Sequence, residues 1–592
     1  MPPQPLFLLL FLGLAMWMYA PAWSSPTTTT LAGGDGDTAI FLWFLRWTPF
    51  ALEHGHDLLV THHLNYPDGV NLMWNTSLVL PGLLLAPLTI GFGPVLTFNV
   101  LLVLAYGLSA WCAYLAIRRF VPGHLAAAVG GLVFGFSPAI RVQSHHLHMS
   151  MAFLVPLMLL VLHEILVRRK WPPWLAGAAL GLLAGCQLLI GEELLASTGL
   201  VGFALLLLLV AGNLRRVRER VAHVLVAFGV AAVVFAAIAA WPLSVQFTGP
   251  QRVHGDIQQT NYANDLLGFV VPGGAQALSS GASAERVAGF AGGNSAYLGV
   301  PLLLVLVALG VRWWSNAVVR VGLALAALTA VLSLGPTLLV GGRDTGVRLP
   351  MASLERLPLL DSLIPSRLAQ LTALFAGLLL ALFLHVVWDG GGWRRAAAAA
   401  VAVVVLAPLF PGWSVASQKV ATPPFFTGAG VRELPRDGVT LVLPFPYRRI
   451  AAPMTWQAEA DLWFRMPGGY FIAPRPDGRP RFDTNPTSAS MVLSGIYGGR
   501  RPPPLTKHWR QALARDFVRW RVGSVVVGPM PNRQLMVGFL TELLGARPER
   551  VGGVYLWRDP KVVTTVPTAP RERARARASA STARAPGRRP AP

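Results

Sequence analysis

Apolar runs of membrane-crossing length recur along the first two thirds of this chain and stop near Trp413. A helix of about 20 apolar residues crosses a hydrocarbon core about 30 Å thick. On that length the pattern predicts eleven spans, at about 5–23, 95–117, 124–140, 149–167, 174–190, 194–212, 221–247, 297–311, 318–340, 367–388 and 396–413. Leu78 to Phe92 is also apolar, but it is short and interrupted by Pro81, Pro87, Gly91 and Gly93, and reads as a re-entrant or interfacial segment. Beyond about Ser414 the apolar runs shrink to strand length, at 439–443 and 523–527, with helical patches near 505–519 and 532–545. The expected architecture is an α-helical polytopic membrane protein with a domain at 1–413, followed by a small extracytoplasmic α/β domain at 414–566. Residues 567–592 hold seven Arg and one Glu with nothing to build a core, which predicts a disordered basic tail.

Composition explains why lipid has to be part of the solvent. Of 592 residues, 54% are hydrophobic and only 13% charged, whereas a soluble chain carries about 25% charge. A net charge of +22 would ordinarily suggest nucleic acid, but the placement of the charge argues otherwise. Thirteen basic residues fall in five short connections: Arg118-Arg119, Arg168-Arg169-Lys170, the run from Arg215 to Arg220, Arg312 with Arg320, and Arg394-Arg395. Lys and Arg concentrate in cytoplasmic loops. This alternation puts the N-terminus inside and the connections 24–94, 141–148, 191–193, 248–296 and 341–366 outside, with everything after Trp413. A crossing at 78–92 would break the parity. Ala20-Pro21-Ala22 also resembles a signal-peptide cleavage site, so removal of the first span is a second reading. Cys112 and Cys186 sit in apolar runs without a CxxC or paired histidines, which argues against a disulfide framework or a zinc site built on cysteine.

Ionisable residues at a membrane edge are costly and mark candidate chemistry, and here they gather on the outer side. Asp35 and Asp37 sit in Gly33-Gly34-Asp35-Gly36-Asp37, where glycines permit a tight turn and two carboxylates can converge on a cation or a hydroxyl. Thr38 to Leu59 reads as an amphipathic helix lying in the interface, with Trp43, Phe44 and Trp47 on its apolar side. The turn-rich strip Asn65-Tyr66-Pro67-Asp68-Gly69-Val70-Asn71-Leu72 follows, leading to Asn75. His145, His146 and His148 occupy the second outer connection, able to ligate a metal, accept a proton or bond a phosphate. Glu192 and Glu193 form the third, and they need a cation, a hydroxyl or a backbone partner. Arg252 and Arg367 stand at span ends, where a guanidinium can clamp a phosphate or simply snorkel to headgroups.

This succession resembles the GT-C superfamily of membrane glycosyltransferases: a first span, an acidic GDGD loop, a helix, the YPDGVNL strip, a histidine-bearing second outer loop and an extracytoplasmic C-terminal domain. The resemblance covers about residues 1–413. It implies transfer of a sugar, a hexose or pentose, from a polyprenyl-phosphate donor to an envelope glycan, lipid or protein acceptor, with inversion, in a bacterial cytoplasmic membrane. Asp35 or Asp37 would match the acid that acts as catalytic base or positions the acceptor or a metal. Arg252, Arg367, His145, His146 and His148 would hold the donor phosphate, and Glu192, Glu193, Asn71 and Asn75 would meet the acceptor or a divalent metal. Many relatives carry a second acid where this chain has histidines; Glu192 and Glu193 are the carboxylates available to replace it.

No Walker motif or dinucleotide fingerprint is present, and nucleic acid is not an expected partner. Two other classes fit a polytopic chain: a transporter or flippase of lipid-linked glycans, and a non-catalytic protein of the same layout. A transporter would place ionisable residues at mid-membrane and show inverted repeats; here the acids and histidines lie at loop edges. The topology predicts that a periplasmic reporter fused after Trp413 is active. A silent periplasmic fusion with an active cytoplasmic one at the same residue would refute the eleven-span arrangement.

Overall fold

The computed structural model describes residues 3–31, 36–212, 221–255, 262–274, 276–287, 295–357, 360–412 and 417–563. Asp35, the run from Arg215 to Arg220 and the tail at 567–592 lie outside these residues.

Each of the eleven apolar stretches contains a helix. The main ones are α1 (Pro3–Met18), α2 (Asp37–His54), α3 (Val79–Leu84), α4 (Ala86–Ile117), α5 (His124–Gly135), α6 (Leu154–His163), α7 (Pro173–Leu188), α8 (Glu192–Gly212), α9 (Val221–Thr248), α10 (Val300–Trp313), α11 (Ala317–Ser333), α12 (Ala369–Asp389) and α13 (Trp393–Leu409). Among the described residues, five segments are long and apolar enough to cross a membrane by length and composition: Ala86–Ile117, His124–Arg141, Glu192–Ala211, Val221–Thr248 and Pro365–Asp389. In α9 only 11% of the most apolar window is buried inside the protein, so its apolar surface faces outward. Water would not tolerate that, and a lipid solvent does.

Two glycine contacts set the helix packing. A Cβ on Gly130 of α5 would lie 2.5 Å from the carbonyl oxygen of Gly377 in α12, and one on Gly377 would lie 2.4 Å from that of Gly130. Along α7, Gly177 and Gly181 press in the same way on the carbonyls of Ala227 and Ala231 in α9. Such small-residue stripes let helices approach where apolar attraction to lipid gives no net drive.

The Leu78 to Phe92 patch forms α3 and the first turns of α4. A kink at Gly93 (φ 85°), followed by Pro94, separates it from the long apolar remainder of α4. The stretch expected to run from 318 to 340 is interrupted. Helix α11 ends at Ser333, and after Gly335-Pro336 the residues Thr337–Val340 pair with Arg343–Arg348 as a hairpin. Gly335 at positive φ and a proline that cannot continue a helix account for the stop.

The largest correction concerns α2. It does not lie in an interface, because every residue from Phe41 to Ala51 is buried. One side packs on α4 and the other on α14 (Ala452–Glu459) from the C-terminal part of the chain. Trp43 and Trp47 stack at 5.3 Å. Burying a large apolar side chain contributes roughly 1.5–3 kcal/mol, and α2 buries several. Trp43 Nε1 donates to Gln457 Oε1 (2.6 Å), and Gln457 Nε2 donates to the carbonyls of His63 (3.0 Å) and Phe464 (2.6 Å). Buried Arg46 pairs with Asp461.

Further helices follow α14: α15 (Ser488–Tyr497), α16 (Lys507–Arg519) and α17 (Arg533–Leu544). They accompany a four-stranded sheet of β1 (Val439–Leu443), β2 (Val522–Val527), β3 (Glu549–Val551) and β4 (Val554–Arg558), in the order β3-β4-β2-β1. Strand β1 runs parallel to β2, and the other pairings are antiparallel. The period of two sends Leu441, Leu443, Val525, Val527 and Trp557 into a core with α15, α16 and α17. Val442, Val526 and Leu556 face the other way and join the large core that contains α2. The sheet is therefore covered on both faces.

Gln457→Ala is expected to leave the Trp43 N–H and the Phe464 carbonyl without their side-chain partner, a loss of about 3 kcal/mol. Thermal melting of the purified protein in detergent checks this. An unchanged midpoint would mean that α2 is held without this bond.

Candidate active site

A cavity of about 1050 Å³ is lined by Asp37, His145, His146, His148, Glu192, Glu193 and Arg367. Asn75 also lines it, together with Tyr262, Asp361, Arg448, Arg449, Tyr470 and Phe482. Leu195, Phe235, Leu243 and Phe247, from α8 and α9, give part of the wall an apolar character.

Asp37 is the first residue of α2. Gly36 before it has φ 83°, and a Cβ there would lie 3.0 Å from the carbonyl of Arg448, so glycine is what allows the loop to turn beside the C-terminal segment. Asp37 Oδ2 lies 3.2 Å from His146 Nε2, and its Oδ1 accepts a 2.8 Å hydrogen bond from the Tyr470 hydroxyl. Burial alone would raise this carboxyl, but the bonds from His146 and Tyr470 hold it well below the usual carboxylate range. Burial raises the Tyr470 hydroxyl and keeps it a donor.

The histidine loop is fixed from both ends. Tyr106 bonds Ser144 Oγ at 2.9 Å, and Gln370 Nε2 donates to the carbonyl of Met149 at 3.2 Å. Burial pushes His145 down to about 4 and also lowers His146 and His148. At neutral pH the group is thus one carboxylate beside neutral imidazoles. Nδ1 of His146 and Nδ1 of His148 are buried without a hydrogen bond. An unpaired buried polar atom costs free energy, and in a cavity it marks a place for a ligand.

The remaining predicted residues divide. Glu193 is committed to Arg367 as an ion pair, and its Oε1 accepts from the backbone N–H of Ile364 at 3.1 Å. Glu192 accepts from Gln246 Nε2 at 2.9 Å. Asn71 does not line the cavity: its amide donates to the carbonyls of Val245 and Pro250 and its Oδ1 caps Met73 N–H. Asn75 spends its amide on the backbone of Asn71 and Ile472. Arg252 is exposed and not among the lining residues.

Sequence reasoning missed Arg448, Arg449, Tyr470 and Tyr262. Arg448 lies over the Phe482 ring at 4.7 Å and donates to the Tyr262 hydroxyl at 3.4 Å. Neither Arg448 nor Arg449 forms an ion pair among the described residues. A usable signal existed: a basic pair just past the carboxyl end of a parallel strand, the end at which open α/β sheets bind ligands. One carboxylate and two imidazoles, from Asp37, His145 and His146, offer ligand atoms within 4.8 Å of one another, so these residues fit a divalent ion.

The family model described as "Domain of unknown function (DUF6311)" matches residues 8–358. Among solved structures the chain is similar to the arabinofuranosyltransferase AftD from mycobacteria, at 14% identity and a TM-score of 0.55, covering 94% of this chain and 40% of AftD. It is also similar to the oligosaccharyltransferase of Archaeoglobus fulgidus, at 14% identity and a TM-score of 0.46, covering 88% of this chain and 69% of that one. The chain therefore spans 40% of the length of AftD. No curated protein matches the sequence. The likeness to AftD shows the fold, which is GT-C.

Asp483 accepts from the backbone N–H of Arg448 and so helps place that arginine; burial pushes its carboxyl up to about 6 from 3.8. The folded state then binds more protons than the unfolded state between those values, so this contribution to stability is full below 3.8 and is lost as pH rises through about 6. Asp483→Asn cannot ionise, and its melting temperature relative to the parent should climb between about pH 4 and 7. A difference that stays flat over that range would show the carboxyl to be unperturbed.

Proposed function

The chain belongs to the DUF6311 family and has the GT-C fold, and on that premise we propose that it is an integral membrane glycosyltransferase. It takes a hexose or pentose from a polyprenyl-phosphate donor to a glycan, lipid or protein acceptor of the cell envelope, with inversion. In this reading the chain crosses a bacterial cytoplasmic membrane eleven times with its N-terminus inside. Residues 1–413 form the membrane domain, 414–566 an extracytoplasmic domain and 567–592 a basic tail. The observation that carries the proposal is the single cavity that joins Asp37, the three histidines and the Arg448-Arg449 pair to an apolar wall from α8 and α9. A lipid-linked phosphosugar has those three requirements: a slot for its tail, cations or imidazoles for its phosphate, and a carboxylate for the incoming hydroxyl.

The roles follow from the contacts. The acceptor hydroxyl bonds to Asp37, whose orientation is set by His146 and Tyr470. The acceptor oxygen bonds the anomeric carbon from the face opposite the phosphate. The carbon–oxygen bond to the phosphate breaks, its electron pair leaves with the polyprenyl phosphate, and the hydroxyl proton passes to Asp37. Because Asp37 is held strongly acidic, it takes that proton only as the hydroxyl acidifies in the transition state. Arg448, Arg449 and the neutral histidines bind the phosphate and stabilise its growing charge. Arg367 works through Glu193, its ion-pair partner, and supplies the wall rather than a free cation. A divalent ion held by Asp37, His145 and His146 would add Lewis-acid polarisation of a bound oxygen.

Asp37→Asn is expected to lower transfer by about 10² to 10⁴ in membranes given a radiolabelled polyprenyl-phosphate sugar. Asp35→Asn, tested separately, decides whether the second acid of the motif shares the role. Tyr470→Phe should lower kcat more than it changes KM for the donor, while Arg448→Ala should raise that KM. Full turnover in both aspartate variants would overturn the catalytic assignment.

A further inference from the structure

Among the described residues, a second group of side chains able to ligate a metal lies outside the cavity, sharing no residue with it. His56 follows the end of α2, His63 follows the two-residue strand Val60–Thr61, and Asp437 occupies the turn before β1. One ligand atom from each falls within 4.8 Å of the others. His63 is 2% exposed, and its Nε2 makes no hydrogen bond among the described residues. That nitrogen stands 3.3 Å from Oδ1 of Asp437. A tetrahedral ion with bonds of about 2.0–2.1 Å holds its ligand atoms about 3.3–3.4 Å apart. His63 and Asp437 therefore already span one edge of such a tetrahedron.

The group is rigidly placed. His63 N–H donates to Thr61 Oγ1 (3.0 Å), and its carbonyl accepts from Met466 N–H (2.9 Å) and Gln457 Nε2 (3.0 Å). Asp437 sits at φ 59° with its N–H on the carbonyl of Trp463 (3.0 Å). The His56 ring meets His63 edge to face at 5.5 Å and is half-buried, so about 1.5 Å of side-chain movement would bring its nitrogen in from at most 4.8 Å to close the other two edges. A fixed, buried imidazole whose Nε2 makes no hydrogen bond and faces a carboxylate and a second imidazole has the form of a metal-ligand set.

The surroundings select the ion. Arg436 contacts His54 and lies over Trp463, and Arg465 lies over Tyr66. These cations disfavour hard ions held by charge alone, whereas two imidazoles and one carboxylate suit Zn²⁺ and its transition-metal neighbours. We infer that His56, His63 and Asp437 bind a divalent transition-metal ion, with a water in the fourth position. The ion clamps the segment after α2 to the turn that leads into β1.

The test uses full-length protein in detergent, stripped with chelator, in a His145→Gln/His146→Gln background that silences the cavity cluster. Co²⁺ titration should give the intense visible absorption of a tetrahedral site at about one equivalent, and Zn²⁺ should raise the melting temperature where Mg²⁺ does not. His56→Gln and Asp437→Asn, at partly exposed positions, should each weaken Co²⁺ binding by about tenfold or more and abolish the Zn²⁺ shift. Both should leave the metal-free melting temperature close to that of the background. Absence of Co²⁺ uptake by the background protein, or an unchanged spectrum and affinity in both variants, would overturn the assignment.

Discussion

A helix buried all round from Phe41 to Ala51, with Trp43, Trp47 and Phe50 on one face and Phe44 on another, cannot be covered by one neighbour. Water is excluded from all sides of it, so α4 covers one side and the C-terminal part of the chain must cover the other. The Trp43–Gln457 bond, the Arg46–Asp461 pair and the contacts of His63 with Met466 and Gln457 satisfy the polar groups that this burial would strand. Because the same helix begins at Asp37, the packing that hides its aromatics also sets the position of the carboxylate.

Three acids of the cavity each have a polar partner. Asp37 has a hydroxyl and an imidazole, Glu193 has a guanidinium, and Glu192 has an amide. A lone ion at such an edge would shift its protonation or draw in water. The paired arrangement instead preserves an ionised carboxylate among neutral histidines. Arg448 and Arg449 differ, since they come from the C-terminal part of the chain, beyond the apolar helices, and line the cavity from that part. The positive side of the site is thus supplied by the segment that can afford exposed charge.

Much of this was legible in the sequence because charge is scarce there. Asp37, the histidine triplet, Glu192, Glu193 and Arg367 stood out against apolar flanks, and the structure brings them to one cavity. The helices were legible for the same reason, although Gly335-Pro336 cut one stretch earlier than its apolar length suggested. Two things were hidden. The aromatic pattern of α2 cannot distinguish a helix lying on lipid from one sandwiched between protein layers, because both need apolar surface and only the partner differs. Tyr470 lies in a segment where polar residues are ordinary and nothing local sets it apart, and the only local sign for Arg448 and Arg449 was their place just past a strand; the meaning of all three comes from a contact across most of the chain. Asn71 and Asn75 were conspicuous for the opposite reason, as turn residues whose amides are consumed by backbone.

The bond from Tyr470 to Asp37 joins residues separated by 433 positions, and that separation has a meaning in time. Synthesis at about 5–20 residues per second places the two ends of this contact roughly 20 to 90 seconds apart. During that interval the acidic loop has been made, but the phenol that orients it and the arginines at the same wall have not. On a nascent chain the wall of this cavity is consequently incomplete, and the cavity comes into being only when the last quarter of the polypeptide has been delivered and folded against the rest.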